Sequence, residues 1–303
     1  MIQNARKISR ILLLTAVAFG LGALTGAGAG AGVGVAQDGP PTGDEILERA
    51  AEESSFVPEG SRISIIEFDI LFPDGTTQTR TFAFFGKRDD TGEKLLIYFL
   101  EPELECGTIF LSFDPADPNE ETRLWLFLSG LGQVKELVSE EDRDASFAGS
   151  NLQNDQVGGG FDLSQDYTGE LLGEEPLRVT WLGEETERVA YKVALTQRPE
   201  VEVDFPTGTV WVDKAEFLTL KGEFNNEAGQ LEQRITLDAF VEFAGDLVPD
   251  LIVVENVLDG SKTTVRTRER RVVEPELPDS IFEPENLKDF NPEDFGVDSP
   301  CVP

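Results

Sequence analysis

Apolar and polar residues alternate along most of this chain, from residue 62 to residue 273, in short segments separated by turn sequences. A period of two places every second side chain on the same face of an extended strand, whereas an amphipathic helix repeats every 3.6 residues. Clusters such as Pro73-Asp74-Gly75 and Asp259-Gly260 mark the turns. About a dozen strands at this spacing predict one large curved antiparallel sheet or an open barrel. The predicted strands are 62–71, 77–85, 94–100, 107–113, 122–128, 133–138, 167–172, 176–182, 187–196, 207–213, 216–224, 231–243, 248–258 and 262–273.

Some of the predicted strands are apolar on both faces. Residues 95–99 and 124–128 are unbroken apolar runs. An antiparallel sheet with one wet face alternates cleanly, so helices, loops or a hydrophobic ligand must cover the second face. Few helices are expected: a capping box starts one over residues 43–54, and a short one is predicted near 283–290. The irregular segment 141–165 is a further candidate for this cover.

The chain begins like an exported protein. Its first ten residues carry three positive charges and no negative ones, residues 11–24 are apolar, and a small-x-small cleavage site ends at Ala36. This pattern is typical of a signal peptide over residues 1–36, and we expect a flexible leader over 37–43. The uncharged run 11–37 is also long enough to span a bilayer, so an uncleaved membrane anchor is the alternative. We predict export to the periplasm or cell envelope.

The composition excludes several classes of site. The chain has no His, which removes Ser-His-Asp and Cys-His catalysis and His-bearing zinc sites. It has 58 acidic and 25 basic residues, a net charge of -33, and nucleic acid is a poor partner for so acidic a chain. The sequence contains no Gly-x-Ser-x-Gly, P-loop or dinucleotide motif. We expect no enzyme, no cofactor and no metal site; a hydrolase built on paired carboxylates is the remaining catalytic alternative.

Cys106 and Cys301 are the two cysteines of the chain. Export and an even number of cysteines favour a disulfide, which would tie the C-terminal tail back to the sheet. Two free thiols are the alternative. A catalytic cysteine is disfavoured, because the acidic neighbours of both residues would raise the pKa of a thiol.

A family resemblance begins at LWLFLSGLGQVKELV (124–138) and continues through DRDASFAGSNLQNDQV (142–157). Both segments resemble the signature stretch of LolA-like outer-membrane lipoprotein-sorting proteins, in which an apolar strand and turn precede a basic strand and a Phe-x-Gly-Ser-Asp loop. Segments 210–231, 248–265 and 277–287 also have counterparts in that family, in the same order. The resemblance covers nearly all of the chain that follows the predicted leader.

The loop of this signature is the part of the resemblance that carries candidate site residues. Phe147, Gly149 and Ser150 match the family, whereas Asn151 stands where the family has Asp. The apolar turn also departs from the pattern, because Ser129 replaces its usual Pro.

The resemblance implies a mainly β fold with some α structure. Its large sheet would form an incomplete antiparallel barrel with a helical lid over residues 44–290, followed by a tail over 291–303. In that family the sheet and the lid enclose an apolar cavity for acyl chains. The implied function is a non-enzymatic carrier that binds lipid or acylated lipoprotein and passes it to a transporter or acceptor protein of the cell envelope. The alternative is a structural or accessory subunit of an envelope assembly, with no bound lipid.

Two further sets of residues are candidates for binding. Aromatic residues on predicted strands are candidates for the lining of the cavity, with plain core packing as the alternative. Arg266, Arg268 and Arg270 alternate along the last strand, so we expect them on one face, where an anionic head group or an acidic partner would meet them. Pairing with acidic residues across strands is the alternative. The aromatic candidates are Phe82, Phe84, Tyr98, Phe110, Trp125, Phe127, Trp181, Tyr191 and Trp211.

Overall fold

The computed structural model describes residues 39–53, 60–117, 120–159 and 163–301. The predicted signal peptide, its cleavage site after Ala36 and the first two residues of the predicted leader lie outside the described residues. None of the described helices is both long and apolar enough to cross a bilayer.

The period-two segments form thirteen strands in the described part of the chain, all in one sheet. The strands are β1 (Gly60–Leu71), β2 (Thr77–Asp89), β3 (Gly92–Glu101), β4 (Ile109–Pro115), β5 (Arg123–Leu128), β6 (Gln133–Glu136), β7 (Tyr167–Trp181), β8 (Glu184–Gln197), β9 (Thr207–Asp213), β10 (Thr219–Asn225), β11 (Leu231–Phe243), β12 (Asp246–Asn256) and β13 (Lys262–Val272). The α-helices are α1 (Gly43–Glu53), α2 (Glu140–Asp144), α3 (Asn154–Gly159) and α4 (Leu163–Asp166). Short 3-10 turns lie at Glu103–Glu105, Phe147–Gly149, Asp279–Phe282, Pro284–Asp289 and Pro292–Phe295.

Neighbouring strands of the sheet are mostly consecutive in sequence and antiparallel. The order is β10-β9-β8-β7-β11-β12-β13-β1-β2-β3-β4-β5-β6, and β10 also pairs with β11. The pairing of β13 with β1 joins the last strand to the first. β7 meets β11 at a single parallel pair, Trp181 with Phe240, and the sheet does not close into a barrel. The prediction of an open, curved antiparallel sheet is confirmed.

β7 merges the two strands predicted at 167–172 and 176–182. A bulge between Leu171 and Gly173 absorbs the intervening sequence, and the φ of 144° at Gly173 suits a residue without a side chain. Pro176 has no backbone N–H to donate to a neighbouring strand. It is tolerated because β7 pairs along its length only with β8, and the edge of β7 that faces away from β8 has no extended hydrogen-bond ladder to interrupt. The turn-like composition of this stretch therefore marks a bulge within one strand.

Helix α1 begins at the predicted capping box. Thr42 N–H donates to Glu45 Oε2 at 2.7 Å, and Glu45 N–H donates to Thr42 Oγ1 at 3.2 Å. The helix lies directly on β7: a Cβ atom on Gly43 would be 2.3 Å from the backbone of Gly169, so only glycine permits this approach. Asp44 Oδ1 accepts a hydrogen bond from Gly169 N–H at 2.7 Å. We call the face of the sheet that α1 covers the inner face.

The opposite, outer face of β1–β5 is covered by the C-terminal segment, which we define as residues 273–301. Two of its rings, Phe290 and Phe295, contact Phe85 of β2 with centroids 5.1 and 5.8 Å apart. Leu277 of the same segment is also buried in this cluster. The chain therefore supplies its own cover for one of the two apolar faces.

A disulfide fixes the end of the C-terminal segment. Cys301 is bonded to Cys106, which lies between β3 and β4. The short helix predicted near 283–290 is present as the 3-10 turn Pro284–Asp289 within this segment. Covalent and apolar contacts together hold the segment on the sheet.

Candidate functional site

A cavity of about 230 Å³ lies on the inner face, between α1 and the sheet. Strands β1–β3 and β9–β13 form its walls, and one side is closed by Leu152, Gln156, Val157 and Leu163. Its lining is mainly apolar and includes Leu47, Phe84, Ile235, Leu237, Ile252 and Val254.

Small residues keep this part of the inner face open. Ala50 and Ala51 of α1 line the cavity together with Ser64 of β1 and Gly86 of β2. Their side chains reach less far from the backbone than the leucines and phenylalanines of a close-packed core. The helix and the sheet therefore leave space between them at this level.

Phe147 fills the neighbouring part of the inner face. Its ring centroid lies 5.3 to 5.9 Å from four other phenylalanine rings. Those rings belong to Phe68, Phe82, Phe99 and Phe110. Phe68 borders both this ring cluster and the cavity, so one half of the inner face is packed and the other half is open.

The loop that carries Phe147 is anchored on β13. Asn151 N–H donates to Thr263 Oγ1 at 2.8 Å, Thr263 O–H donates to Asn151 Oδ1 at 2.9 Å, and Asn151 Nδ2 donates to Ser261 Oγ at 2.7 Å. An amide side chain both donates and accepts, whereas an ionised carboxylate only accepts. Asn151 therefore suits this pair of hydroxyls, and the anchored loop places Leu152 at the cavity wall.

Two further residues of the predicted loop shape its turn. Gly149 has a φ of 74°, in the left-handed region that glycine adopts without steric cost. The hydroxyl of Ser150 accepts a hydrogen bond from Leu152 N–H at 3.1 Å. The structure thus brings the four predicted loop residues together beside the cavity, with Phe147 buried in the core.

Arg270 is a cation in the wall of the cavity. Its Nη2 lies 2.8 Å from Asp250 Oδ1 and donates to Thr267 Oγ1 at 3.0 Å. The same nitrogen donates to the carbonyl of Pro249 at 3.3 Å. Burial lowers the pKa of Arg270 and raises the pKa of Asp250, because water no longer solvates either charge; the attraction between the two opposes both shifts.

The three arginines of the predicted basic stripe do not share one face. The register of β13 against β1 shifts at a bulge at Arg268, and an extra residue exchanges the faces of the strand beyond it. Arg270 therefore lines the inner cavity. Arg266 pairs instead with Asp69, and Arg268 with Glu67, both on β1.

The nine aromatic candidates lie in three clusters, and Phe84 is the one that lines the cavity. The cluster of the inner face also contains Phe82, Phe110 and Tyr191. The cluster under the C-terminal segment contains Tyr98, Trp125 and Phe127. Trp181 and Trp211 pack with Phe240 in a third cluster. Contact with a ligand stays a prediction for each of them.

Sequence reasoning missed the aliphatic wall that β11 and β12 supply. Leu237 and Ile252 are ordinary strand residues, and nothing in their spacing distinguishes them from core residues. One usable signal was present on β1, where Arg62 and Ser64 continue the same alternate positions as Ile66, and all three line the cavity. Polar residues in a series that is otherwise apolar mark a part of a face that the core does not fill.

The cavity offers apolar surface and two guanidinium groups, those of Arg62 and Arg270. Each CH₂ group buried on such a surface contributes about 0.8 kcal/mol. Within the described ranges, no three His, Cys, Asp or Glu side chains come together as candidate metal ligands. The arrangement is therefore suited to hold an amphiphile by burial and charge.

Comparisons with known proteins identify the family and the fold. No curated protein matches the sequence. The DUF1329 family protein from Desulfovibrio piger has a similar structure, with a TM-score of 0.68 and 21% identity over 80% of this chain and 97% of that one. An outer membrane lipoprotein-sorting type of domain from Vibrio parahaemolyticus has a TM-score of 0.66 and 22% identity, over 81% of this chain and 98% of that one. The LolA superfamily protein from Nitrosomonas europaea has a TM-score of 0.57 and 21% identity, over 80% of this chain and 98% of that one.

These similarities establish a LolA-like fold, as the resemblance of the sequence implied. The family model that matches the sequence is described only as that of an uncharacterized protein, and the match spans residues 91–289. Because this match covers more than half of the chain, the protein belongs to that uncharacterized family and has the LolA-like fold.

Proposed function

We propose that this protein is an exported, non-enzymatic carrier that binds the acyl chains of lipids or lipoproteins and passes them to an acceptor in the cell envelope. The observation that carries the proposal is the apolar cavity of about 230 Å³ between α1 and the inner face. The lipoprotein-sorting type of domain from Vibrio parahaemolyticus supports it at the level of the fold. The signal-like start of the sequence supports the location.

Burial alone accounts for the affinity of such a carrier. At about 0.8 kcal/mol per buried CH₂ group, a long acyl chain binds well without any catalytic group or cofactor. A cavity of about 230 Å³ is smaller than the roughly 300–1,000 Å³ of most ligand pockets. We therefore propose that α1 moves away from the sheet when a full chain enters. The same movement, or a competing hydrophobic acceptor, then permits release.

The small volume also favours a second candidate function, an accessory subunit of an envelope assembly that carries no lipid. In that case the inner face is filled by the protein's own side chains, as Phe147 fills it over β1–β4. Bound lipid distinguishes the two candidates.

The first experiment is mass spectrometry of residues 37–303 after purification from an envelope extract without detergent. Spectra are recorded natively and again after organic extraction. A stoichiometric lipid or acylated peptide supports the carrier and identifies its cargo. An empty protein that also fails to take up a fluorescent fatty acid overturns the carrier and supports the accessory role.

A cavity-blocking variant tests whether the cavity is the binding site. Ala51→Trp places an indole in the lining, so we expect loss of fatty-acid uptake. Ala228→Trp makes the same substitution at an exposed hairpin position and should bind as wild type does. Equal uptake by both variants would exclude this cavity as the site.

A further inference from the structure

Arg62 is a cation without a protein partner. Its side chain lines the cavity from β1, and among the residues that the structure describes it has no hydrogen-bond or ion-pair partner. Burial lowers the pKa of Arg62 to about 9, with the attraction of Glu93 opposing the shift and the repulsion of Arg270 adding to it. An unpaired, partly desolvated guanidinium is costly in any protein, and this chain has 58 acidic residues available for pairing.

Arg270, in the wall of the same cavity, has a second unused donor. Its Nη2 makes all of the contacts with Asp250, Thr267 and Pro249, while its Nη1 is buried and has no hydrogen-bond partner among the described residues. A buried donor is normally satisfied by the protein or by a ligand. The guanidinium of Arg62 and the buried Nη1 of Arg270 are therefore two neighbouring donor groups that the described residues leave unsatisfied.

The strand register places the two arginines side by side. Arg62 pairs with Val272 and Ser64 pairs with Arg270, so the two cations are diagonal neighbours on the inner face, with Cβ atoms at most about 7–8 Å apart. On the other side of β1, Arg62 faces Gly86, which has no side chain to occupy the space. Val272 is 52% exposed, which locates Arg62 near an opening to solvent.

Carboxylates near the two arginines offset part of their positive charge but leave their free hydrogen-bond donors without acceptors. Asp250 forms an ion pair with Arg270, although its Oδ1 has no hydrogen-bond partner among the described residues, and Glu53 lines the same cavity. Glu93 and Asp246 attract Arg62 through space, but neither forms a hydrogen bond or ion pair with it. Arg62 thus lies near the opening of the apolar chamber, where the head of an amphiphile would be, with Arg270 beside it in the wall.

We infer that Arg62 and Arg270 bind the anionic oxygen group, a carboxylate or a phosphate, of an amphiphile whose acyl chain occupies the cavity. This inference rests on the proposed carrier function and specifies the class of its ligand. Arginine is suited to the task because its planar fork matches the oxygens of both groups. A neutral acyl glycerol offers hydroxyl and ester oxygens as acceptors but no negative charge, so it would bind more weakly.

The test compares head groups on one acyl chain. Palmitate, palmitoyl lysophosphatidic acid and monopalmitoyl glycerol compete with the neutral probe N-phenyl-1-naphthylamine for the wild-type protein. We expect at least one anionic ligand to bind about tenfold more tightly than the glycerol ester, which corresponds to about 1.4 kcal/mol. Preference for palmitate identifies a carboxylate ligand, and preference for the phosphate ester identifies a phospholipid-like one.

Arg62→Met is the informative variant, because it retains the apolar stem and breaks no contact in the protein. Measured against the same probe, its Kd for the anionic ligands should rise to about that for the glycerol ester, so the preference is lost. Arg178→Met removes the same charge at an exposed position of β7 and should keep the preference. Probe binding without discrimination between head groups overturns this inference and leaves the carrier standing. Failure of wild type to bind the probe or any acyl ligand overturns both.

Discussion

The inner and outer faces of β1–β5 are both apolar, but the chain covers them differently. On the outer face, the C-terminal segment packs its own rings on the sheet and a disulfide holds its end. On the inner face, the Phe147 loop and α1 cover only part of the surface, and the cavity remains beyond them. The difference shows that an apolar face does not by itself indicate a ligand: one of these faces is structural, and the other has space for an occupant.

The largest effect should come from truncating a ring on the packed face. Phe85 is fully buried against the C-terminal segment, whereas Phe84 on the same strand borders the cavity. We expect Phe85→Ala to lower the free energy of unfolding by about 3–5 kcal/mol. Phe84→Ala should cost less, because its ring has empty space on one side and loses fewer contacts. Urea unfolding of both variants measures this, and an equal or larger loss at Phe84 would contradict the distinction between the faces.

Removing the disulfide tests how the outer cover is held. The bond between Cys106 and Cys301 spans 195 residues of sequence, and we expect the double Ser variant to lose about 2–5 kcal/mol of stability. Limited proteolysis should then cut within the C-terminal segment first. Probe binding at the inner cavity should persist, since the disulfide lies on the other side of the sheet. Unchanged unfolding together with protease resistance would mean that apolar packing alone holds the segment.

The loop anchor on the inner face should have an intermediate effect. Asn151→Ala leaves the buried hydroxyls of Thr263 and Ser261 without their partner, so we expect a loss of about 1–3 kcal/mol. Because the same loop carries Leu152 of the cavity wall, acyl-probe binding should also weaken. Asn151→Asp keeps an acceptor for Thr263 and should be less damaging. Equal stability of wild type and the Ala variant would exclude this anchoring role.

The sequence predicts the sheet and the start of α1 well because both depend on local patterns, whereas the loop of Phe147 is identified only through the family resemblance. Alternation locates the strands, and the capping box of Thr42 and Glu45 locates the start of α1. The bulge at Arg268 could not be predicted in this way. One extra residue moves the side chains that follow it to the opposite face of the sheet, and the composition of the strand does not reveal it. For this reason Arg270 faces the cavity while Arg266 and Arg268 do not. The strand-by-strand pattern likewise cannot tell which apolar face the distant C-terminal segment will cover.

Acid should weaken the contacts that hold the outer cover on the sheet. Asp279 of the C-terminal segment binds Lys87 and Lys94 of the sheet, and these hydrogen bonds lower the pKa of its carboxyl group. For neighbouring Asp89, burial raises the pKa, but hydrogen bonds from Thr91 and Lys94 outweigh it and lower the pKa to about 2.

A carboxyl group with a depressed pKa stabilises the folded state above its unfolded pKa of about 3.9, and this contribution is lost as the pH falls through the folded value. We therefore expect stability to decline from about pH 4 to about pH 2. Asp279→Asn should reduce that slope. Asp74→Asn is the matched comparison: its pKa is lowered by Thr76 within a single turn, so it should also reduce the slope but leave the C-terminal segment as resistant to limited proteolysis as in wild type. The same slope in wild type and Asp279→Asn would show that these ion pairs do not hold the segment.

The smallest effect is expected for the two arginines that the bulge separates from the cavity. Arg266 and Arg268 pair with Asp69 and Glu67 at partly exposed positions, where water and salt screen the attraction. Replacing both with Ala should therefore lower stability only slightly and leave the Kd for acyl ligands within about twofold of wild type. Arg62→Met provides the opposite result, altered head-group preference without loss of stability. If the double variant instead lost ligand binding while keeping its unfolding midpoint, ligand recognition would lie on the outer side of β13, and assignment of the cavity as the binding site would have to be abandoned.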